Sequence, residues 1–193
     1  GSADFENSNK LSSLLALGAM TELRNLWAYE NAISNISVFT ATSTTGVRIH
    51  QKLENLELWD NQIGSVAPLE GLTQLRTLRI GENPLSDNLE FLTLTQLERL
   101  SMNDTGISSI AGIDGLTFLV ELNLNDNPSL NGQLYDVHEL EFLESLEIRN
   151  TGLTDIPDIS AMSGLYTLNL EGNLSLTTLA SGVQYSSSAG VVP

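Results

Sequence analysis

The chain of 193 residues is 41% hydrophobic and has a formal net charge of −16, from 24 acidic and 8 basic residues. This hydrophobic fraction is enough to build a core, and no apolar run reaches the roughly 18 residues that span a membrane. The acidic surface repels phosphate backbones and anionic lipids, which disfavours nucleic acids and membranes as partners and leaves a basic protein surface, a cation or a neutral glycan. The absence of cysteine excludes disulfides, thiolate zinc sites and cysteine nucleophiles.

Residues 1–22 have apolar side chains at intervals of three from Leu11 onwards, but the preceding residues 3–6 lack the leucines of a strand. We therefore expect an N-terminal cap or half of a repeat, since the end of a stacked array must cover its open core. The sequence also predicts a helix over Ser8–Leu17.

One pattern then recurs seven times between residues 23 and 179. In one copy it reads Leu53-x-x-Leu56-x-Leu58-x-x-Asn61-x-Ile63, and the copies begin at intervals of 30, 22, 22, 22, 24 and 22 residues. The alternation around Leu56 and Leu58 is the period of a strand with one apolar face. The next apolar residues are spaced by three, which favours a 3₁₀ or extended return segment. Units this short cannot bury their own leucines, so they must stack.

This pattern resembles the leucine-rich repeat. The period of 22 residues, with the spacing of three from Ile63 to Leu72, resembles the bacterial internalin and SDS22-like subfamily over about residues 9–179. The resemblance implies an α/β fold, namely a right-handed solenoid or horseshoe with a parallel β-sheet on its concave side and 3₁₀ or extended segments on its convex side. Residues 180–193 are then the remnant of a C-terminal cap, or a linker.

The asparagine position of the pattern is polar in every copy. It holds Asn31, Asn61, Asn83, Thr105, Asn127, Thr151 and Asn173. In the family that the chain resembles, this side chain turns inward and bonds the backbone of the turn after the strand. A buried amide is costly unless its donors and acceptors are satisfied, and stacked copies satisfy them as a ladder. We predict that these positions serve the fold, with fewer bonds from the two threonines.

The first full repeat contains eight extra residues around Phe39–Gln51, including the Thr/Ser-rich segment Thr40–Gly46. The sheet cannot absorb them, so we expect a loop on the return side or the edge of the solenoid. Two interpretations stay open, a tolerated surface loop and a lateral contact loop. The repeat of 24 residues has a smaller insertion near Pro128–Gly132.

Strand residues that alternate with the buried leucines point outward and form the predicted binding surface. Both tryptophans, Trp27 and Trp59, belong to this set, and with Tyr29 they fall on two adjacent strands. Gathered aromatic side chains suggest a contact surface, although they also suit packing against the cap. Neighbouring strands lie about 4.8 Å apart, so we expect the two tryptophans side by side. The candidate partner-binding residues are Trp27, Tyr29, Glu57, Trp59, Arg79, Asn103, Asn125 and Arg149.

An acidic residue precedes the asparagine position in five consecutive repeats. The column consists of Glu30, Asp60, Glu82, Asp104 and Asp126, followed by Asn150. Carboxylates at one sheet spacing repel each other unless a cation or a basic partner lies along them. Calcium favours oxygen-rich sites, but an acidic residue here is also common in the family that the chain resembles, as a turn residue. We assign no metal ligand and keep a basic partner open.

The sequence offers no catalytic residues. His50 and His138 fall in the insertion and in a return segment, away from the outward strand positions, which disfavours a Ser-His-Asp arrangement. No glycine-rich phosphate loop or zinc-type histidine pair occurs. We therefore predict a protein that is not an enzyme and that needs no cofactor.

The resemblance implies a protein-binding module of a secreted or cell-surface bacterial protein, extracellular and monomeric. Its concave sheet would recognise another protein, such as a host or surface protein. Two alternatives stay open. One is carbohydrate binding on the same face, because amides beside aromatic rings suit sugar hydroxyls. The other is an intracellular regulatory or scaffold subunit of the SDS22-like kind.

Overall fold

The computed structural model of the chain describes residues 1–5, 11–86, 89, 93–131, 134–156 and 159–176. Eight short parallel strands form one sheet, and their spatial order follows the sequence. The strands are β1 (Ser2–Asp4), β2 (Asn25–Trp27), β3 (Asn55–Glu57), β4 (Thr77–Arg79), β5 (Arg99–Ser101), β6 (Glu121–Asn123), β7 (Ser145–Glu147) and β8 (Thr167–Asn169). The predicted solenoid, with one parallel strand added by each repeat, is confirmed.

The connections between strands contain 3₁₀ helices. Those in the described residues are Leu15–Ala19, Ser37–Thr40, Ala67–Leu69, Ile113–Gly115, Pro128–Leu130 and Tyr135–Glu139. A 3₁₀ helix has three residues per turn, so apolar residues three apart, such as Val66, Leu69 and Leu72, all reach the core. The spacing of three therefore explains why a return segment this short buries one side.

Rows of stacked leucines form the core. The central leucines of neighbouring strands align directly, Leu26 with Leu56 and Leu56 with Leu78, and all three are fully buried. Burial of one such side chain stabilises the fold by roughly 2 kcal/mol. Because no repeat encloses its own leucines, this stabilisation depends on contact between neighbouring repeats.

The N-terminal segment departs from the prediction in two ways. β1 pairs with β2, with Ala3 aligned to Leu26, so the sheet has one strand more than the seven strand-bearing repeats in the leucine pattern. Parallel pairing uses backbone groups, and a small apolar residue at the leucine position is enough to continue it. The helix predicted over Ser8–Leu17 is instead a 3₁₀ helix over Leu15–Ala19, while residues 8–10 lie outside the described residues.

The asparagine ladder is confirmed. Asn61 is buried, and its Nδ2 donates to the carbonyl oxygens of Ala28 and Leu58, each at 2.9 Å. Its Oδ1 accepts from the Ile33 N–H at 2.9 Å. One amide thus bonds the turn of its own repeat and the turn of the preceding repeat. This cross-linking satisfies backbone groups that would otherwise be buried without partners.

Threonine at the same position makes fewer bonds, as predicted. The Thr105 hydroxyl donates to the Met102 carbonyl oxygen at 2.9 Å and has no second hydrogen for the preceding repeat. The N–H of Leu85, in that preceding repeat, bonds the nearby Asn83 carbonyl oxygen instead, at 2.8 Å. The ladder is therefore weaker between these two repeats than between those joined by Asn61.

The insertion of the first full repeat forms a folded loop on the return side. After the 3₁₀ helix Ser37–Thr40, Thr42 and Arg48 form an antiparallel bridge around a turn. Phe39 and His50 anchor the loop in the core, with ring centroids 5.5 Å apart and a T-shaped arrangement. The placement of the extra residues outside the sheet agrees with the prediction.

Candidate functional site

The outward side chains of the strands form a surface that we call the sheet face, which is the predicted concave surface. Its middle column is Trp27, Glu57, Arg79, Ser101, Asn123, Glu147 and Asn169. Its third column, two residues further along each strand, is Tyr29, Trp59, Gly81, Asn103, Asn125, Arg149 and Glu171. All eight predicted partner-binding residues therefore lie in these two adjacent columns.

A pair of stacked rings dominates the N-terminal part of the sheet face. The Tyr29 and Trp59 rings are parallel to within 11°, with centroids 4.3 Å apart, and both side chains are half-buried. The expectation that Trp27 lies beside Trp59 is wrong, because the register aligns Trp27 with Glu57. Tyr29 takes that place because it stands at the same position of its repeat as Trp59. The three aromatic residues still belong to two adjacent repeats, with Trp27 at the end of β2 and Tyr29 and Trp59 two residues after β2 and β3.

Gly81 ends the aromatic part of the third column. A Cβ atom there would lie 2.8 Å from the Asn103 carbonyl oxygen and would also clash with the Asn103 side chain. Asn103 thus covers the glycine, and its Oδ1 accepts a hydrogen bond from the Ser101 hydroxyl at 2.8 Å. Trp59 consequently stacks on the Tyr29 ring on one side, whereas the next position of its column, Gly81, has no side chain.

A groove of about 410 Å³ begins at Trp59 and extends over the repeats that follow. It is lined by Trp59, Arg79, Glu82, Arg99, Leu100, Ser101, Asn103, Glu121, Leu122, Asn123, Ser145 and Glu147. The lining combines one large ring, two guanidinium groups, three carboxylates and several short polar side chains. Such a mixture suits a ligand with hydrogen-bonding groups of both kinds.

The charged candidates differ in how closely other residues of the chain hold them. Arg79 is exposed, and its guanidinium lies 3.8 Å from the Glu57 carboxylate, a loose ion pair. Arg149 is held more closely, at 2.8 Å from Asp126, and its backbone N–H donates to the Asn125 side chain at 2.7 Å. Hydrogen bonding to Arg149 and to Asn150 lowers the pKa of Asp126, with the larger effect from Asn150. Of these two arginines, Arg79 is therefore the more open to a partner.

A first column of the sheet face was missed by the sequence reasoning. It consists of Asn25, Asn55, Thr77, Arg99, Glu121, Ser145 and Thr167. The Asn55 amide donates to the Asn25 amide oxygen at 2.6 Å, and Arg99 pairs with Glu121 at 3.1 Å. These residues alternate with the central leucines just as the middle column does, so the pattern already contained the signal.

The acidic column has a backbone explanation. Glu30, Asp60, Glu82, Asp104, Asp126 and Asn150 all have positive φ, between 50° and 60°. Aspartate and asparagine tolerate this left-handed region better than most residues, which supports the turn interpretation. The described residues contain no cluster of three or more histidine or acidic side chains placed to hold a metal ion.

The two histidines lie away from the sheet face. His50 is fully buried in the insertion, and neither ring nitrogen has a hydrogen-bond partner among the described residues. Burial lowers the pKa of His50, since the charged form loses its hydration. His138 lies in the 3₁₀ helix Tyr135–Glu139, 2.9 Å from the Glu139 carboxylate.

Comparison with known proteins agrees with this geometry. A sequence profile described as "Leucine Rich repeats (2 copies)" matches residues 51–94. A search of curated protein sequences gave no significant match. No described helix has the length and apolarity needed to cross a bilayer. The chain thus carries leucine-rich repeats, stacked as in the leucine-rich-repeat fold.

Its solved structural neighbours include three internalins of Listeria monocytogenes. Internalin C2 aligns over 88% of this chain and 70% of its own, with 20% identity and a TM-score of 0.78. Internalin InlF aligns over 88% and 57%, with 22% identity and a TM-score of 0.69. The functional domain of InlJ, which includes a cysteine ladder, aligns over 92% and 45%, with 20% identity and a TM-score of 0.63. The chain thus has the internalin fold but spans only about half the length of the last two.

Proposed function

We propose that this chain is a protein-recognition module that binds its partner with the sheet face. The observation that carries the proposal is the stacked pair of Tyr29 and Trp59, half-exposed beside an open groove. Large, rigid rings at the edge of a depression supply much of the binding energy in protein interfaces. Trp27 extends this aromatic area, and leucine-rich-repeat domains are general interaction modules.

Charged and amide residues around the rings give the surface its specificity. Arg79 is exposed and only loosely paired with Glu57, so its guanidinium can turn to a partner. Asn103, Asn125 and Arg149 form the far side, where they are already ordered by bonds within the chain. Ordered polar groups lose little conformational entropy on binding.

The likeness to Listeria internalins supports placement on a bacterial cell surface or outside the cell. We propose an extracellular, monomeric module without enzymatic activity or cofactor. An intracellular regulatory role is the alternative if the protein proves to be made without export.

Carbohydrate binding on the same face is the second candidate. Amides of the first column, such as Asn25 and Asn55, suit sugar hydroxyls. However, Tyr29 covers one face of the Trp59 ring, so only the other face is open to a sugar. One open face is enough for a sugar to stack on, so this candidate is tested in parallel. The preference for a protein partner rests on the general role of leucine-rich-repeat domains as interaction modules.

The test is capture of proteins from a bacterial or host surface extract, with a glycan array as the parallel assay. We expect specific protein capture by the chain and at least tenfold weaker capture by the Tyr29→Ala/Trp59→Ala variant. Trp27→Ala should weaken capture less. Gln74→Ala, on the exposed strand-entry rim, is the matched control and should leave capture unchanged. Unchanged capture by a folded Trp27→Ala/Trp59→Ala variant would contradict the proposal, and array binding without protein capture would favour the glycan alternative.

A further inference from the structure

Three aromatic side chains are exposed where the chain enters the last three strands. Phe118, Phe142 and Tyr166 are 53%, 63% and 64% exposed. Phe118 and Phe142 hold equivalent positions in adjacent repeats. Tyr166 belongs to a neighbouring column, in which its N–H donates to the Glu144 carbonyl oxygen and the Glu144 N–H donates to that of Val120, each at 2.9 Å. We call Phe118, Phe142 and Tyr166 the aromatic rim.

The same two columns carry charges and amides in the earlier repeats. The first rim column contains Glu22, Lys52, Gln74, Gln96, Phe118, Phe142 and Gly164. The second rim column contains Arg24, Glu54, Arg76, Glu98, Val120, Glu144 and Tyr166. Ion pairs join neighbours in the early part, with Lys52 2.6 Å from Glu22 and two arginine–glutamate pairs in the second column. Up to Glu98 the charges of the rim are therefore joined in ion pairs. After Glu98 the two columns are mostly apolar, and Glu144 is their one charged residue.

The charge of the chain is also divided unequally. Residues 1–99 contain seven Lys and Arg against twelve Asp and Glu, whereas residues 100–193 contain Arg149 alone against twelve, so the net charges are −5 and −11. Arg149 is held by Asp126. Glu141 and Glu144 are exposed on either side of Phe142, and in the described part of the chain no ion pair reaches them. The aromatic rim is thus set among uncompensated carboxylates.

We propose that the aromatic rim is a second interaction surface, and that its partner is a basic protein segment with apolar side chains between its lysines or arginines. The rings offer apolar contact and cation–π partners, while the carboxylates attract the basic groups and orient the segment. A second copy of this chain fits poorly, because two molecules of net charge −16 repel each other. This surface is additional to the sheet face.

The aromatic rim is separated in space from the aromatic part of the sheet face, formed by Trp27, Tyr29 and Trp59. Phe118 precedes β6, whereas Trp59 follows β3, and three strand spacings amount to about 14 Å. Both tryptophans of the chain belong to the sheet face. Tryptophan emission therefore reports the aromatic part of the sheet face and not the aromatic rim.

The test uses three fluorophore-labelled synthetic peptides and fluorescence anisotropy. The first probe is an amphipathic lysine–leucine peptide, and the others replace lysine by glutamate or leucine by serine. We expect the lysine–leucine probe to bind, and more weakly as salt rises from about 0.05 to 0.5 M. The Phe118→Ala/Phe142→Ala variant should bind it about tenfold more weakly. Gln74→Ala/Gln96→Ala, at equivalent positions in earlier repeats, should bind like the unmodified chain, and tryptophan emission should not change.

The proposal is overturned if the phenylalanine variant binds the probe as tightly as the unmodified chain does. It is equally overturned if the lysine–serine or glutamate–leucine probe binds as well as the first one, since apolar contact or charge would then be irrelevant. Loss of probe binding in Tyr29→Ala/Trp59→Ala would place the site on the sheet face instead. Dimerisation that phenylalanine substitution abolishes, seen in sedimentation, would make a second copy the occupant. The rings are exposed, so unfolding midpoints should match and leave binding as the only difference.

Discussion

The repeats before and after β5 share one kind of core but differ at the surface. Both halves bury the same asparagine or threonine positions and the same leucine positions, except that Leu165, Leu168 and Leu170 of the last repeat are only partly buried. In the early half, the charged residues of the rim form ion pairs. On the sheet face of that half, Tyr29 stacks on Trp59. The late half exposes Phe118, Phe142 and Tyr166, and among its described residues no ion pair reaches Glu141 or Glu144.

This difference shows which positions of a repeat are free to diverge. A leucine at the strand centre is fixed by its neighbours on both sides, because the core is continuous along the solenoid. The charged side chains on the rim are exposed or half-buried and pair mainly with their column neighbours. Rim columns can therefore change from ion pairs to aromatic rings without cost to the fold, and we infer that function resides in such positions and on the sheet face.

The asparagine ladder gives the largest expected effect. Asn61→Ala should lower the free energy of unfolding by about 3 kcal/mol, because the Ala28 and Leu58 carbonyl oxygens and the Ile33 N–H lose their buried partner. Asn61→Thr should cost less, since threonine retains a bond of the kind made by Thr105. Urea unfolding measures both. Equal losses of unfolding free energy for the two variants would contradict the conclusion that threonine retains part of the asparagine ladder.

The two histidines, one in each half, predict an intermediate effect on pH dependence. Burial lowers the pKa of His50 below its usual value of 6.5, so the folded protein favours the neutral ring. The unfolded chain then binds more protons, and stability is complete above pH 6.5 and falls as the pH drops below it. His50→Leu should flatten this dependence of the unfolding midpoint between about pH 5 and 7. His138→Leu is the control, because His138 is exposed, and it should preserve the slope.

A slope that survives His50→Leu would show that the pH dependence arises elsewhere. A slope lost in His138→Leu would assign it to the late half of the solenoid. Either result would contradict the account of His50 as a buried, neutral anchor of the insertion.

The rim ion pairs give the smallest effect. Hydrogen bonding to Lys52 lowers the pKa of the Glu22 carboxyl. Lys52→Gln should raise that pKa toward the ordinary glutamate value, as measured by NMR titration of the side-chain carboxyl, with no measurable change in stability because the pair is exposed. An unmoved titration would mean that the early rim is not paired in solution.

Much of the fold could be predicted from the sequence because the leucine spacing is periodic. β2 to β8 each contain a leucine of the repeated pattern, whereas β1 has Ala3 in that place and is recognised only from its backbone pairing. The inward asparagines were predictable for the same reason. Their hydrogen bonds follow from the spacing once neighbouring turns are stacked.

The candidate site was predictable in composition but less so in geometry. The aromatic residues were assigned to the right strands, but the Tyr29–Trp59 stack depends on a register that aligns equivalent positions of two repeats of unequal length. The groove is lined by residues of several neighbouring repeats, and the close approach of Asn103 to Gly81 beside it follows from three-dimensional packing and not from the repeat pattern. The aromatic rim lies just before the strands, outside the positions that alternate with the leucines.

The central claim, recognition through the aromatic part of the sheet face, is tested most directly by tryptophan fluorescence. Trp27 and Trp59 are the only tryptophans, and both lie on that face. Titration with the captured protein partner should shift the emission to shorter wavelength and reduce quenching by acrylamide, because the rings become buried. Saturable binding that leaves emission and quenching unchanged would show that the partner binds elsewhere and would contradict the account.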